Sequence, residues 1–277
     1  ATNEDVYNTF ELLNNSVALT TGNDSKIENL VVDEKYIQQC NAGMDQGISY
    51  AAGAPNAIFI QTEDGLGEID CRKFPLAHSL SEVIAELTAL RDEDHEFQSV
   101  VVDSVDWLER LIFDEVCREF GVRSIEKADG GYGRGYTHAL THWRKVISLL
   151  QELRDKRGMM VILVAHAKVE RFEDPENAAY DRYTPRLHKH AASLIAEWVD
   201  AVLFANKKFR VTKENAGFNG ERAIAAPIGA DGGERIIRTV GSPACIAKNR
   251  YGLPSEIPRS WQAFIEAYTK IEENHHE

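Results

Sequence analysis

An acid and a hydroxyl at the end of an apolar run are the first residues of this chain that could do chemistry. Ser99-Val100-Val101-Val102 delivers Asp103 and Ser104, and Val105-Asp106-Trp107 follows. A short β-branched run bounded by polar sequence predicts a strand buried on both faces of a parallel sheet. Open α/β sheets build their sites just past the carboxyl ends of such strands. An acid there can hold Mg2+, directly or through water. The same two residues equally suit the cap of a helix over Val105 to Phe120.

Two further runs end in the same way. Ala57-Ile58-Phe59-Ile60-Gln61 delivers Thr62-Glu63-Asp64-Gly65, and Met159 to Ala165 delivers His166-Ala167-Lys168. If the three strands are parallel neighbours, Glu63, Asp103 and His166 converge on one rim. Such a rim suits a general base, a metal-holding acid and a phosphate sensor. Taken singly, Glu63 reads equally as a turn acid and His166 as a hydrogen-bonded residue at a strand end.

The elements that must position these residues alternate as a parallel sheet requires. Leu80 to Arg91 carries an apolar stripe of Val83, Ile84, Leu87 and Leu90. Ala139 to Lys156 is the next amphipathic helix, closed by Gly158. A short helix ends over Leu194 to Trp198, and Ala201 to Ala205 gives a fourth core strand. Phe209 to Thr212, Arg235 to Thr239 and Ala244 to Lys248 read as a closing antiparallel set, with Gly229 to Gly233 as a turn. A helix over Trp261 to Ile271 docks through Trp261, Phe264, Ile265 and Tyr268. Arg171 to His190, with Pro175 and Pro185 and little apolar content, reads as a mobile loop. Before Tyr50 the signals are local: helical spacing of Val6, Phe10 and Leu13, a strand at Ser16 to Thr20, a turn at Gly22-Asn23-Asp24, a strand at Ile27 to Val32 and a helix from Asp33 to Cys40 closed by Gly43. This opening stretch reads either as a first core strand with a remodelled loop or as foreign sequence.

Taken together, these segments resemble the RecA core. In it, one strand ends in a catalytic glutamate and the next ends in Asp-Ser, as Ile58-to-Glu63 and Val100-to-Ser104 do here. Lys248-Asn249-Arg250-Tyr251-Gly252 is similar to the Lys-Asn-Arg-Phe-Gly motif of the RadA branch. Thr62 to Leu66, Gly130 to Tyr136 and Gly241-Ser242-Pro243 resemble segments of phage-encoded RecA-core nucleotide-binding proteins, which travel with single-strand annealing recombinases. The resemblance implies an α/β, three-layer core with a mostly parallel central sheet and a C-terminal antiparallel extension. It divides the chain into an atypical segment 1–50, a core 51–271 and a polar tail 272–277. It implies ATP and Mg2+ bound between subunits of a homo-oligomeric ring or filament, ATP hydrolysis coupled to DNA recombination or replication, and a host-cell cytoplasmic location. By it, Glu63 polarises the attacking water, Asp103 holds magnesium and His166 senses the γ-phosphate. Lys248 and Arg250 reach across to the neighbouring subunit's nucleotide, where a transferring phosphoryl group needs cationic clamps; alone, they read equally as a solvated pair at a strand end. Single-stranded DNA and a recombinase or annealing protein are the implied partners. Arg134, Arg182, Arg186 and Lys189 are the candidate contacts to its backbone, with Tyr180 and Tyr183 available to stack on bases.

The chain departs from this family at the phosphate loop. G-x-x-x-x-G-K-[ST] belongs just before Tyr50, where the sequence reads Asn41-Ala42-Gly43-Met44-Asp45-Gln46-Gly47-Ile48-Ser49. Gly47 stands where the lysine should be and Ser49 one place late for the hydroxyl, yet these two are the residues left to cradle phosphate. No G-K-[ST] occurs elsewhere in the sequence. Two alternatives follow: a nucleotide-silent RecA-fold scaffold or recombinase-loading partner, and a metal-dependent phosphoesterase using Glu63, Asp64 and Asp103.

Composition constrains the rest. A 43% hydrophobic content supports a real core. No apolar run reaches the roughly 18 residues of a membrane span, and no basic-then-apolar leader opens the chain. A net charge of -13 leaves room only for local contact with nucleic acid. Cys40, Cys71, Cys117 and Cys245 are widely spaced and read as reduced thiols. His188 and His190 lack partners at zinc-binding spacing.

Overall fold

The apolar runs become neighbouring strands because each alternates its side chains between two helical layers. A computed structural model describes residues 16–20, 48–66, 70–215, 221–228 and 234–275. In chain order the first elements are β1 (Ser16–Thr20), α1 (Ile48–Ala52), β2 (Ala57–Gln61), β3 (Arg72–Lys73), α2 (Leu80–Asp92), β4 (Ser99–Asp103) and α3 (Val105–Glu119). A 3-10 segment (Ile125–Gly130), α4 (Arg134–Arg157), β5 (Met160–Ala165), β6 (Ala167–Phe172), β7 (Tyr180–Pro185), α5 (Lys189–Trp198) and β8 (Ala201–Lys207) follow. The chain continues through β9 (Phe209–Asn215), β10 (Glu221–Pro227), β11 (Arg235–Arg238), β12 (Lys248–Asn249), β13 (Glu256–Pro258) and α6 (Trp261–His275).

The main sheet runs β13-β11-β8-β1-β5-β4-β2-β3, with β12 also on β8. β3, β2, β4 and β5 are mutually parallel. Ile58, Ile60, Val100, Val102, Val161 and Leu163 turn to one face, where they meet the apolar stripes of α2 through α5. Phe59, Val101, Ile162 and Leu203 turn to the other, against Tyr50 of α1 and Trp261 and Phe264 of α6. The result is the expected three-layer α/β core with antiparallel strands added toward the C-terminal side.

Several boundaries differ from the sequence reading. The stretch 171–190 is not a loop: β6 and β7 form a two-stranded hairpin with Ala167 opposite Pro185, and α5 begins at Lys189. The hairpin pairs outside the main sheet, with half of β6 exposed and most of β7 half-buried, so it carries few apolar residues to signal it. Helix α4 starts five residues before Ala139 because Gly135 lets it pack closely: a Cβ there would lie 2.1 Å from the Ile125 carbonyl oxygen. At this position the glycine serves a tight approach of backbones. The closing set also divides. β9 pairs with β10 as a separate ribbon, and β11 joins β8 to β13. Of the third expected strand, Ala244 to Lys248, only Lys248 lies on β8, in a two-residue strand with Asn249. Helix α6 runs on to His275, through most of the stretch read as a tail. The elements expected around Val6 to Leu13 and Gly22 to Gly43, and the turn at Gly229 to Gly233, lie outside the described residues. Among the described residues Cys117 and Cys245 are free thiols, and no helix is long and apolar enough to cross a membrane.

Candidate functional site

Register brings the three strand ends level. Gln61 pairs with Asp103, and Asp103 with Val164, so Thr62-Glu63, Asp103-Ser104 and His166 leave the sheet side by side. Thr62 staples two of these ends together. Its hydroxyl donates to the Ser104 carbonyl oxygen (2.6 Å) and accepts from the Ser104 amide (2.9 Å), while its amide donates to the Asp103 carbonyl oxygen (2.9 Å). Ser104 is the N-cap residue of α3, so the expected helix start falls at this strand end.

Asp103 is only 2% exposed, and its Oδ1 has no hydrogen-bond partner. Burial, and then the negative charge of Glu63, push its carboxyl up to about 7. Glu63 is raised as well, by burial first, with the positive His166 pulling it back. His166 is buried at 6% exposure, and its Nε2 lies 3.8 Å from Glu63 Oε1.

The anchor of this group is Asp106, a residue to which sequence reasoning gave no role. Its Oδ1 accepts from the His166 amide (3.1 Å), and both its oxygens lie 3.1 Å from His166 Nδ1. Its Oδ2 accepts from Arg186 Nε (2.9 Å) and Nη2 (2.7 Å). Burial opposes the charge on Asp106, yet the hydrogen bonds and charge of His166, with Arg186, outweigh it and hold the carboxyl at about 2. Burial likewise disfavours a charged His166, but Asp106 and then Glu63 raise it above the ordinary histidine range. The signal available in the sequence was spacing: an acid three residues beyond Asp103 falls in the first turn of α3, beside the neighbouring strand end.

Other predicted residues lie elsewhere. Arg186 is committed to Asp106, and its amide also donates to the His166 carbonyl oxygen (2.7 Å). Lys248 sits two strands from β5, beside the amino end of β8, where its ammonium donates to the carbonyls of Ala196 (2.7 Å), Glu197 (3.2 Å) and Val199 (2.6 Å). It thereby caps the carboxyl end of α5 within its own chain. Arg250 pairs with Asp200 at 3.1 Å, and its side chain is 56% exposed. Arg134 opens α4 and donates to the Asp129 carbonyl oxygen (3.3 Å). Arg182 and Lys189 line a cavity between the β6–β7 hairpin and α5. Gly47 lies outside the described residues; Ser49 falls in α1.

The rim fits one half of a magnesium–nucleotide site. A buried carboxylate with a free oxygen, a neighbouring glutamate and a hydroxyl suit a hydrated Mg2+, which is held through one or two carboxylates and keeps several waters. The phosphate half does not fit equally well. A phosphate loop must follow a strand that runs parallel to β5, so that its helix N-terminus opens onto this rim. The strand between β5 and β8 is β1, and it runs the other way. Ser16 stands opposite Ala165 at the rim, while Thr20 stands opposite Val161. Arg186 on the adjoining segment is engaged by Asp106, and Lys168 Nζ by the Leu187 carbonyl oxygen at 3.3 Å.

A protein family described as AAA domain matches residues 49–251, nearly three quarters of the chain. The match opens just before the buried Tyr50 and closes at Tyr251, so it spans all three strand ends of the rim. No curated protein matches the chain.

Proposed function

The chain belongs to the AAA domain family, and on that premise we propose that it is an ATPase-type nucleotide-binding protein whose hydrolytic centre is Glu63 and Asp103. The observation that carries this reading is the pairing of Glu63 with a histidine fixed from behind. Asp106 holds His166 through Nδ1, and Nε2 faces the Glu63 carboxylate. A glutamate raised by burial is a better base near neutral pH than an ordinary one, and general-base catalysis contributes roughly 100- to 10,000-fold. Asp103 and Ser104 are the residues that would hold magnesium. That ion, when bound, supplies charge stabilisation for a phosphoryl group. Glu63 would orient a water and take its proton as the water's oxygen attacks; His166, with Nε2 facing the carboxylate, holds Glu63 in place, and the proton passes from Glu63 to solvent when the product leaves.

The finer reading adds work on single-stranded DNA by an oligomer, alongside a recombinase. It draws on the RadA-like segment and on the Gly130–Gly133 turn, which presents Tyr132 at 98% exposure two residues from Arg134. A second reading, a nucleotide-silent structural partner, is favoured by the reversed direction of β1 and the missing phosphate-loop lysine.

Equilibrium titration of Mg-ATP into the full chain, with Asp103→Asn and Glu63→Gln beside it, separates the two. The ATPase reading expects saturable, magnesium-dependent binding that Asp103→Asn weakens. It expects Glu63→Gln to bind normally and to lose about 100-fold or more in turnover. Absence of binding at millimolar nucleotide, from folded protein, selects the structural partner.

A further inference from the structure

Away from the rim, the β6–β7 hairpin, α5 and the helical face of β5 and β8 enclose a cavity of about 250 Å3. Leu163, Ala165, Ile195 and Val202 give it an apolar floor. A cavity of roughly 150 Å3 accepts benzene, so this one has room for a body larger than a phenyl ring. Two cations, Arg182 and Lys189, line it as well.

Arg182 is the unusual member. Its guanidinium lies flat over Phe172, 3.9 Å from the ring centre, which fixes its orientation. Its Nε is buried and makes no hydrogen bond. Nε is closed to solvent, so the remainder of the side chain is what lines the cavity. Glu170, the carboxylate lining the cavity, is already taken: it accepts from Thr184 Oγ1 at 3.2 Å and lies 3.6 Å from Lys168 Nζ. Among the described residues neither Arg182 nor Lys189 forms an ion pair.

We infer that this cavity is a binding site for a small amphipathic carboxylate, its apolar body on the Leu163–Ile195 floor and its carboxylate on Arg182, with Lys189 beside it. A planar guanidinium matches a carboxylate in two-point geometry. The apolar walls favour a singly charged group, since each further charge adds to the desolvation penalty. On a chain of net charge -13, the two lining cations Arg182 and Lys189 outnumber the one lining carboxylate, Glu170, which stands opposite Arg182 in the hairpin, and this local excess of positive charge favours such a ligand.

The test is calorimetric titration of the full chain with 4-phenylbutyrate, and with 4-phenylbutan-1-ol as its uncharged counterpart, in the absence of nucleotide. The acid should bind saturably at one site. Replacing it with the alcohol, or making Arg182→Met, should each weaken binding about tenfold or more, the cost of losing a charged hydrogen bond. Ala192→Trp, which places an indole in the cavity, should abolish binding while leaving the far-ultraviolet circular dichroism unchanged. If the large side chain disrupts folding, the acid–alcohol comparison and Arg182→Met still decide. Absence of saturable binding overturns the site. Equal affinity for acid and alcohol in both wild type and Arg182→Met overturns the assignment of the carboxylate.

Discussion

Removing the charge of Asp106 should both loosen the protein and detune His166. Asp106→Asn keeps the shape of the side chain but withdraws the carboxylate that accepts from His166 and from both Arg186 nitrogens. In the folded protein this carboxyl is held at about 2, below the ordinary aspartate value near 4. Each unit of depression is about 1.4 kcal/mol, so the charged form contributes about 2–3 kcal/mol to stability at neutral pH. A buried pair broken on one side costs about 3–5 kcal/mol, but the Arg186 side chain is 35% exposed and can recover water, which favours the lower figure. The sign follows from a depressed acid. The contribution is complete above the ordinary aspartate pKa and is lost as the pH falls toward about 2. Urea unfolding at pH 7, compared with the same experiment near pH 3, should show a gap between wild type and Asp106→Asn that narrows in acid. Proton NMR of the His166 ring should show its titration moving down in the variant, because Asp106 is the strongest influence raising it. A stability change under about 0.5 kcal/mol at pH 7, with the His166 titration unmoved, would refute the anchoring role assigned to Asp106.

Asp103 should behave in the opposite sense. Its folded value of about 7 lies roughly three units above an ordinary aspartate, so the ionised form is a burden that grows as the pH rises from about 4 to 7. Asp103→Asn should therefore stabilise the free protein by about 1–3 kcal/mol at pH 8 and by much less at pH 5, once its own unpaired amide is counted. An equal difference at both pH values in urea unfolding would sink that account. Lys248→Met should cost about 1–3 kcal/mol through the loss of the α5 carbonyl cap, while Arg250→Gln, an exposed pair, should cost under about 1 kcal/mol. A urea midpoint for Lys248→Met indistinguishable from wild type would remove the capping role.

The sheet was legible because buried parallel strands announce themselves as short β-branched runs. Ser99–Asp103 and Met160–Ala165 lie within a residue of where the sequence places them, and the polar residues after each run fall at one rim. What the sequence concealed has physical reasons. β6 and β7 form their own two-stranded hairpin, tied to the rest, among the described residues, by a single β-bridge from Tyr183 to Cys245, so only a few of their residues face a core and no full apolar alternation is imposed on them. The direction of β1 is a property of pairing, and a five-residue strand reads the same forwards and backwards. Arg186 read as a candidate contact to a DNA backbone because its partner, Asp106, lies eighty residues earlier. The need for glycine at 135 could not be read from its neighbours, because the Ile125 carbonyl that excludes a Cβ comes from a separate segment.

The distribution of charge around the rim explains why one of its acids is left wanting. Three carboxylates, Glu63, Asp103 and Asp106, share two cations, His166 and Arg186. Asp106 takes both cations by direct hydrogen bonds, and it alone of the three is driven to low pKa. Glu63 retains a weaker hold on His166 at 3.8 Å, and Asp103 makes no hydrogen bond through Oδ1. Like charges in one site push their titrations apart, and here the uncompensated charge is concentrated on the most deeply buried member. Protonation of Asp103 relieves that tension in the isolated protein, whereas a divalent cation would relieve it at neutral pH while leaving Glu63 free to act as a base. If Mg2+ binds here as proposed, proton and cation compete for the same oxygen, so a Mg2+ titration should show affinity rising as the pH passes through about 7, and a pH-independent affinity would refute Asp103 as the ligand.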